Sequence, residues 1–114
     1  MSHPIVILKR AEEFLDSLET KLAAKALREI ELLRNIGLRL SFPHTRKIEG
    51  EEGLYELRVK QGSNICRLFY FYEAKDGFII TSGYVKKTNK GDKEEIQRAV
   101  RIRREYLEGG KDND

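Results

Sequence analysis

The spacing of hydrophobic positions divides the chain into a helical first part, a stranded middle and a closing helix. Apolar residues recur every three or four positions over 11–18 and again over 20–36, which predicts two helices. We expect Thr20 to cap the second helix and Gly37 to end it. Because so few residues separate the two helices, they are expected to form an antiparallel helical hairpin.

The hydrophobic period changes to two after an irregular segment at 41–53. Alternating or apolar runs over 54–60, 65–72 and 78–85 predict three strands, and the short turns between them predict an antiparallel meander. A β-branched run at 5–8 is a possible short N-terminal strand.

A last helix is predicted from Asp92, as its cap, to about Leu107, and residues 109–114 are expected to form a frayed, disordered tail. The whole chain, 1–114, has the length of one domain. The sequence therefore predicts the α+β class. An N-terminal helical hairpin packs on a small antiparallel sheet, which is a three-stranded meander plus the possible N-terminal strand, with a basic C-terminal helix beside it.

The positive charge is concentrated in the second half of the chain. The net charge of the whole is +3, whereas residues 58–104 alone contain twelve Lys and Arg against five Asp and Glu, a net charge of +7. A cationic surface of this size attracts polyanions, most commonly nucleic acid. A solvated helix face rich in lysine explains the same charge, so composition leaves both interpretations open.

The composition also excludes several classes of protein. No apolar run approaches the ~20 residues that a membrane-spanning helix needs, and the N-terminus lacks the order of a secretory signal. The single cysteine, Cys66, cannot form an internal disulfide and has no Cys or His at ligand spacing. We therefore expect a reducing, cytoplasmic location and no metal site.

Established catalytic motifs are missing from the sequence. It contains no phosphate-binding loop, no His-Glu-x-x-His and no nucleophile elbow. Of the two histidines, His3 lies near the N-terminus and His44 in the loop after Pro43. Isolated histidines of this kind are mostly solvated, so a catalytic histidine pair is not predicted.

The polar residues that stand out are cations on the predicted strands. Arg58 and Lys60 share one strand face, and Arg67 interrupts an apolar run on the next strand. Lys86 and Lys87 follow the third strand, and in a meander all these positions can converge on one sheet surface. Such a surface, without a carboxylate base, suits RNA, because arginine and lysine bind phosphate and nearby aromatic rings stack unpaired bases. The alternative is that each cation pairs with an acid.

Several short motifs occur in the order found in the RelE/ParE toxin superfamily, which the chain resembles. They are LYELRVK at 54–60, RLFYF at 67–71, GYVKKT at 83–88, and Glu95-Ile96 with Ala99. The chain looks closest to the HigB-like, phage-derived branch, and the resemblance covers about residues 12–106. Each motif alone is weak, and their shared order makes the resemblance specific.

This resemblance implies the toxin of a type II toxin–antitoxin module. Such a toxin is a metal-independent endoribonuclease, without a cofactor, that enters the ribosomal A site and cuts the mRNA there. The 2′-OH attacks its adjacent phosphate and leaves a 2′,3′-cyclic phosphate. The implied partners are a cognate antitoxin of the helix-turn-helix type, the ribosome and mRNA, with no membrane.

The resemblance also implies roles for the strand cations. By position, Arg58 and Lys60 resemble the family's pair of cations, one of which assists proton removal. Arg67 resembles the arginine that stabilises the phosphorane, and, facing a cleft, it should contribute little to stability. Lys86 and Lys87 resemble the basic pair near the leaving group. The residues expected to contact mRNA or rRNA are Tyr84, Lys90, Lys93, Arg98 and Arg101.

The chain departs from the family's pattern near the closing helix and at the N-terminus. RelE-type toxins use a tyrosine near that helix, but nothing between 88 and 100 is aromatic, and Tyr84 is the candidate replacement. Segment 5–8 is short, and a sheet edge left open there is a place for an antitoxin. Two alternatives stay open: a ParE-like gyrase poison, which needs no cation cluster, and a non-catalytic RNA- or partner-binding module.

Overall fold

The computed structural model describes residues 2–87 and 92–110. Within these ranges the chain forms β1 (Ile5–Ile7), α1 (Lys9–Ser17), α2 (Thr20–Ile36), β2 (Thr45–Lys47), β3 (Tyr55–Gln61), β4 (Asn64–Glu73), β5 (Gly77–Lys86) and α3 (Lys93–Glu105). A 3₁₀ turn, Gly37–Arg39, follows α2, and a π-helical turn, Tyr106–Gly110, follows α3.

The strands form one mixed sheet in the order β1-β5-β4-β3-β2. Strands β3, β4 and β5 are consecutive antiparallel neighbours, which confirms the predicted meander. Strand β1 pairs with β5 in parallel, which confirms the short N-terminal strand. The edge of β5 is therefore not open, because β1 pairs with it. The edge strands of the sheet are β1 and β2.

Strand β2 lies in the segment that we expected to be irregular, and that expectation is wrong for Thr45–Lys47. All three residues are polar and two are exposed, so no alternation of apolar and polar positions marks the strand. The buried residue, Thr45, donates a hydrogen bond from its hydroxyl to the carbonyl oxygen of Glu56, at 3.1 Å. Pairing with β3, which a local pattern does not reveal, defines this strand.

The helices lie on both faces of the sheet. Helices α1 and α2 pack on one face of the sheet, against buried strand residues such as Leu57, Leu68 and Ile80. Helix α3 covers part of the opposite face, over Phe69 and Phe71. Strands β4 and β5 are buried on both faces over most of their length, and such strands need a layer on each side. The sheet therefore separates the C-terminal helix from the hairpin.

The N-cap of α2 differs from the prediction. Glu19, not Thr20, caps this helix, and its carboxylate accepts hydrogen bonds from the backbone N–H groups two and three residues later, at 3.1 and 2.9 Å. Thr20 is the first helical residue. Gly37 follows the helix with a φ of 73°, and a Cβ there would collide with the His3 ring. His3 is thus packed into the fold rather than solvated.

Helix α3 begins where the sequence predicted. Asp92 occupies its N-cap position, but its side chain makes no capping hydrogen bond. The regular helix ends at Glu105, two residues before the predicted end. Of the expected tail, residues 111–114 lie outside the described ranges, as does Lys90. Among the helices of the described residues, none is long and apolar enough to cross a membrane.

Candidate active site

Four of the predicted cations meet at the end of the sheet face that α3 leaves uncovered. Arg58 on β3 is the register partner of Arg67 on β4, which is the partner of Tyr84 on β5. Lys60 and Lys86 lie two residues further along the strands, on either side of β4, where both pair with Ile65. We call these five residues the cationic end of the sheet. The strand register brings these five positions to the same end of the sheet.

Arg67 is buried within this surface instead of facing an open cleft. Only 7% of the residue is exposed. Its Nη1 lies 3.6 Å from Oε2 of Glu56 and 3.6 Å from Oδ2 of Asp92. Glu56 is fully buried, and Nη2 of the exposed Arg46 approaches the same Oε2 at 2.9 Å. The expectation of a surface without carboxylates is therefore wrong, because two of them flank Arg67.

Tyr84 and Asp92 form a second link between the sheet and the start of α3. The Tyr84 hydroxyl donates a hydrogen bond to Oδ2 of Asp92 at 2.7 Å, and its ring stacks on Phe69 with the centroids 5.8 Å apart. Burial, with the hydrogen bond and charge of Asp92, raises the pKa of Tyr84, so the phenol stays protonated. This bond and stacking hold Tyr84 in place and reduce its freedom to bind a base.

Asp92 is correspondingly held in its ionised form. Burial alone would raise its pKa, but the hydrogen bond from Tyr84, its own backbone N–H and the charges of Lys86 and Arg67 lower the pKa below the ordinary value of 3.8. The pair therefore consists of a neutral phenol and a carboxylate. Asp92 also adds negative charge at the N-terminus of α3, where the helix dipole favours it.

A cavity of about 390 Å³ opens beside this group, between β2, β3 and the start of α3. We call it the first cavity. Both basic and acidic side chains line this cavity. Its lining residues are Arg46, Lys47, Ile48, Glu49, Glu56, Asp92 and Ile96.

Arg58 and Lys60 line a different cavity, of about 250 Å³, which we call the second cavity. The guanidinium carbon of Arg58 lies 5.3 Å from the ring centroid of the exposed Phe42, a cation–π distance. Nε of Arg58 is buried and has no hydrogen-bond partner among the described residues. The remaining lining residues are Lys25, Glu29, Pro43, His44, Val59 and Ile65.

His44 in this second cavity is not simply solvated. Its Nδ1 lies 3.0 Å from Oε1 of Glu29, which is only 5% exposed, on α2. The sequence alone did not point to either residue as part of a site. A signal existed, because Glu29 stands three residues after Ala26 and four before Leu33, the spacing of the buried stripe.

The other predicted contact residues that the structure describes line neither of these cavities. Lys87 is exposed just beyond β5, and Lys93 and Arg101 are exposed on α3. Arg98 donates a hydrogen bond to Glu95 at 2.7 Å, so part of its charge is offset within the helix. Within residues 2–87 and 92–110, no group of three or more His, Cys, Asp or Glu side chains is placed to hold a metal ion.

In its fold the chain is similar to two solved structures of RelE toxins. One is a double arginine-to-alanine mutant of E. coli toxin RelE in the free state, with a TM-score of 0.66 and 17% identity over 89% of this chain and 97% of that chain. The other is the archaeal RelE–RelB complex from Pyrococcus horikoshii OT3, with a TM-score of 0.55 and 22% identity over 80% of this chain and 100% of that chain. The protein therefore has the RelE fold.

The sequence places the chain in a family within this fold. The family model described as "Phage derived protein Gp49-like (DUF891)" matches residues 13–104, and the chain belongs to this family. No curated protein matches the chain. Fold and family together confirm the resemblance to the RelE superfamily and its phage-derived branch.

Proposed function

We propose that this protein is the toxin of a type II toxin–antitoxin module, which cuts mRNA in the A site of translating ribosomes in the cytoplasm. The RelE fold and the phage-derived family support a toxin of this class. The fold relative from Pyrococcus is a complex with RelB, which supports a cognate antitoxin for this chain too. The helix-turn-helix type of that antitoxin stays an expectation from the family resemblance.

The observation that best supports RNA cleavage is the cationic end of the sheet. Arg58, Lys60 and Lys86 are half-buried or exposed and lie within two residues of one another in register, where α3 does not cover the strands. A set of cations fixed on strands holds phosphate oxygens without rearranging as charge develops on the phosphorane. No metal ion is needed for attack by a 2′-OH on its own phosphate.

We assign different roles to the predicted catalytic residues. Arg58 and Lys60 line a cavity, which supports their contact with the scissile phosphate, and we assign Lys86 and the exposed Lys87 to the neighbouring phosphates. Arg67 is buried between Glu56 and Asp92, so we assign it to positioning the strands and α3 rather than to direct contact.

A non-catalytic RNA- or partner-binding module is the second candidate, and the burial of Arg67 favours it. Two carboxylates offset the charge of the Arg67 guanidinium. Arg67 is therefore less able to stabilise the phosphorane, the role that the family resemblance implies for it. A gyrase poison has no comparable observation in its favour, since it requires no cations on this face.

A reconstituted translation reaction with a defined mRNA separates these candidates. Primer extension should reveal cuts at in-frame codon positions when ribosomes translate and none on the mRNA alone. Ribosome binding without any cut would support the binding module. Inhibition of DNA supercoiling by gyrase, with mRNA intact, would support the gyrase poison and contradict our proposal.

A further inference from the structure

The second cavity contains a histidine held by a buried carboxylate, next to two cations. We propose that His44 is the general base of RNA cleavage, that Glu29 positions it, and that the scissile phosphate binds in this cavity between Arg58 and Lys60. This proposal rests on the proposed function and supplies the proton acceptor that the strand cations lack.

The contact with Glu29 engages one ring nitrogen of His44 and leaves the other open. Nδ1 of His44 lies 3.0 Å from Oε1 of Glu29. In the proposed mechanism Glu29 is a carboxylate, which only accepts hydrogen bonds, so Nδ1 donates and the lone pair of the neutral ring lies on Nε2. The carboxylate is 6% exposed and the imidazole 42% exposed, so Glu29 is fixed inside the fold while His44 is open to a ligand. A base held by a buried acid in this way is a recurrent catalytic arrangement.

The surroundings of the pair suit a phosphodiester. The charged groups that face this cavity are Lys25 and Glu29 from α2 and Arg58 and Lys60 from β3. Three cations against one carboxylate favour an anionic ligand. Nε of Arg58 is buried without a hydrogen-bond partner among the described residues, as are Nε of Arg67 and of Arg98, so it is available as a donor to a ligand in this cavity. A side chain that merely anchored the loop to α2 would need neither the cavity nor these cations.

The reaction balances with these groups alone. The 2′-OH proton passes to Nε2 of His44 as the 2′-oxygen forms its bond to phosphorus, while Arg58 donates hydrogen bonds to the non-bridging oxygens. The bond between phosphorus and the 5′-oxygen then breaks, and that oxygen takes a proton from the Lys60 ammonium. The products are a 2′,3′-cyclic phosphate and a 5′-hydroxyl, and both side chains recover their protonation states by exchange with water.

Single-turnover cleavage of mRNA on programmed ribosomes, followed from about pH 5.5 to about pH 8.5, tests this assignment. The wild-type rate should rise with pH through the range in which imidazoles titrate and then level off. The His44→Ala variant should cleave ~100-fold more slowly or worse, with the rise removed, and added imidazole should restore part of the rate. Glu29→Gln, which keeps an acceptor for Nδ1, should lose ~10-fold while retaining a pH-dependent rise.

Two matched controls distinguish a base from a structural residue. His3→Gln removes the only other histidine, and Glu31→Gln removes an exposed acid on the same helix. Both should keep the wild-type pH profile. A His44→Ala variant that retains the wild-type rise with pH, whatever its absolute rate, would overturn the assignment and leave the proposed function intact. A wild-type protein that cuts at no pH would overturn the proposed function itself, and this assignment with it.

Discussion

Arg67 and Glu56 form a buried ion pair on adjacent strands, with Nη1 3.6 Å from Oε2 and neither side chain more than 8% exposed. Glu56 is also contacted by the exposed Arg46, and Arg67 by Asp92 at the start of α3. Neither carboxylate oxygen of Glu56 accepts a hydrogen bond from another described residue. Its negative charge is therefore balanced by ion pairing alone, which makes the surrounding structure sensitive to the loss of either partner.

Arg67→Ala should lower the free energy of unfolding by about 3 kcal/mol, because it leaves a buried carboxylate poorly compensated. This reverses the expectation from sequence that a strand cation facing a cleft adds little stability. Urea denaturation followed by circular dichroism measures the change. Arg34→Ala, which breaks an exposed pair with Glu31, is the control and should cost less than about 1 kcal/mol.

A double-mutant cycle identifies the buried charge as the cause. If the unpaired charge of Glu56 causes the loss of stability, Arg67→Ala should lower the free energy of unfolding much less when Glu56→Gln is already present. Additive losses in the double variant would show that the two side chains contribute independently, contrary to this account.

Asp92→Asn should make the stability of the fold less dependent on acid pH. Because folding lowers the pKa of Asp92, its contribution is present above the ordinary value of 3.8 and is lost as the pH falls below that value through the lowered pKa. Melting temperatures of the wild type should therefore fall between about pH 5 and about pH 2.5, and those of Asp92→Asn should fall less.

Tyr84→Phe provides a companion to this measurement, since it removes a hydrogen bond that lowers the pKa of Asp92. Its acid-dependent loss should lie between those of the wild type and Asp92→Asn. Identical slopes for all three proteins would mean that the Tyr84–Asp92 bond does not stabilise the ionised carboxylate.

Replacing both Lys86 and Lys87 by alanine should weaken ribosome binding more than replacing Lys75, which lies in the turn between β4 and β5. Filter binding across a salt series measures this, and the double variant should also show a shallower dependence on salt because fewer phosphates are neutralised. Equal losses from the turn and from the end of β5 would mean that the charge acts only diffusely.

Cys66 should resist alkylation in the folded protein. Burial raises the pKa of its thiol from 9.0 to about 11, which lowers the thiolate fraction at pH 8 by about 100-fold, and the residue is fully buried under α2. Mass spectrometry after iodoacetamide treatment should detect modification only in urea. Rapid alkylation of Cys66 without denaturant would contradict its burial in the core.

The meander and both long helices were predictable because their patterns are local. Alternation over 54–60 and the three- and four-residue spacing over 20–36 specify strand and helix without knowledge of the partner. Strand β2 escaped prediction because three polar residues at a sheet edge have no pattern, and only their pairing with β3 defines them.

The candidate site was predictable only in part, for a related physical reason. Arg58, Lys60 and Arg67 are visible as cations on strands, and register brings them together. The acids found beside them are Glu56 on β3, which pairs with Arg67, and Glu29 on α2, which contacts His44 in the second cavity. Whether a glutamate pairs with one cation or another depends on three-dimensional packing that spacing along the chain does not encode.

If this end of the sheet cuts mRNA, as we claim, the Arg58→Ala/Lys60→Ala double variant should differ sharply from the wild type. Primer extension on mRNA in translating ribosomes should give in-frame cuts with the wild type and none with the double variant, at concentrations where both occupy the ribosome equally. In-frame cutting by the double variant at the wild-type rate would contradict the claim, as would wild-type cutting that does not depend on ribosomes.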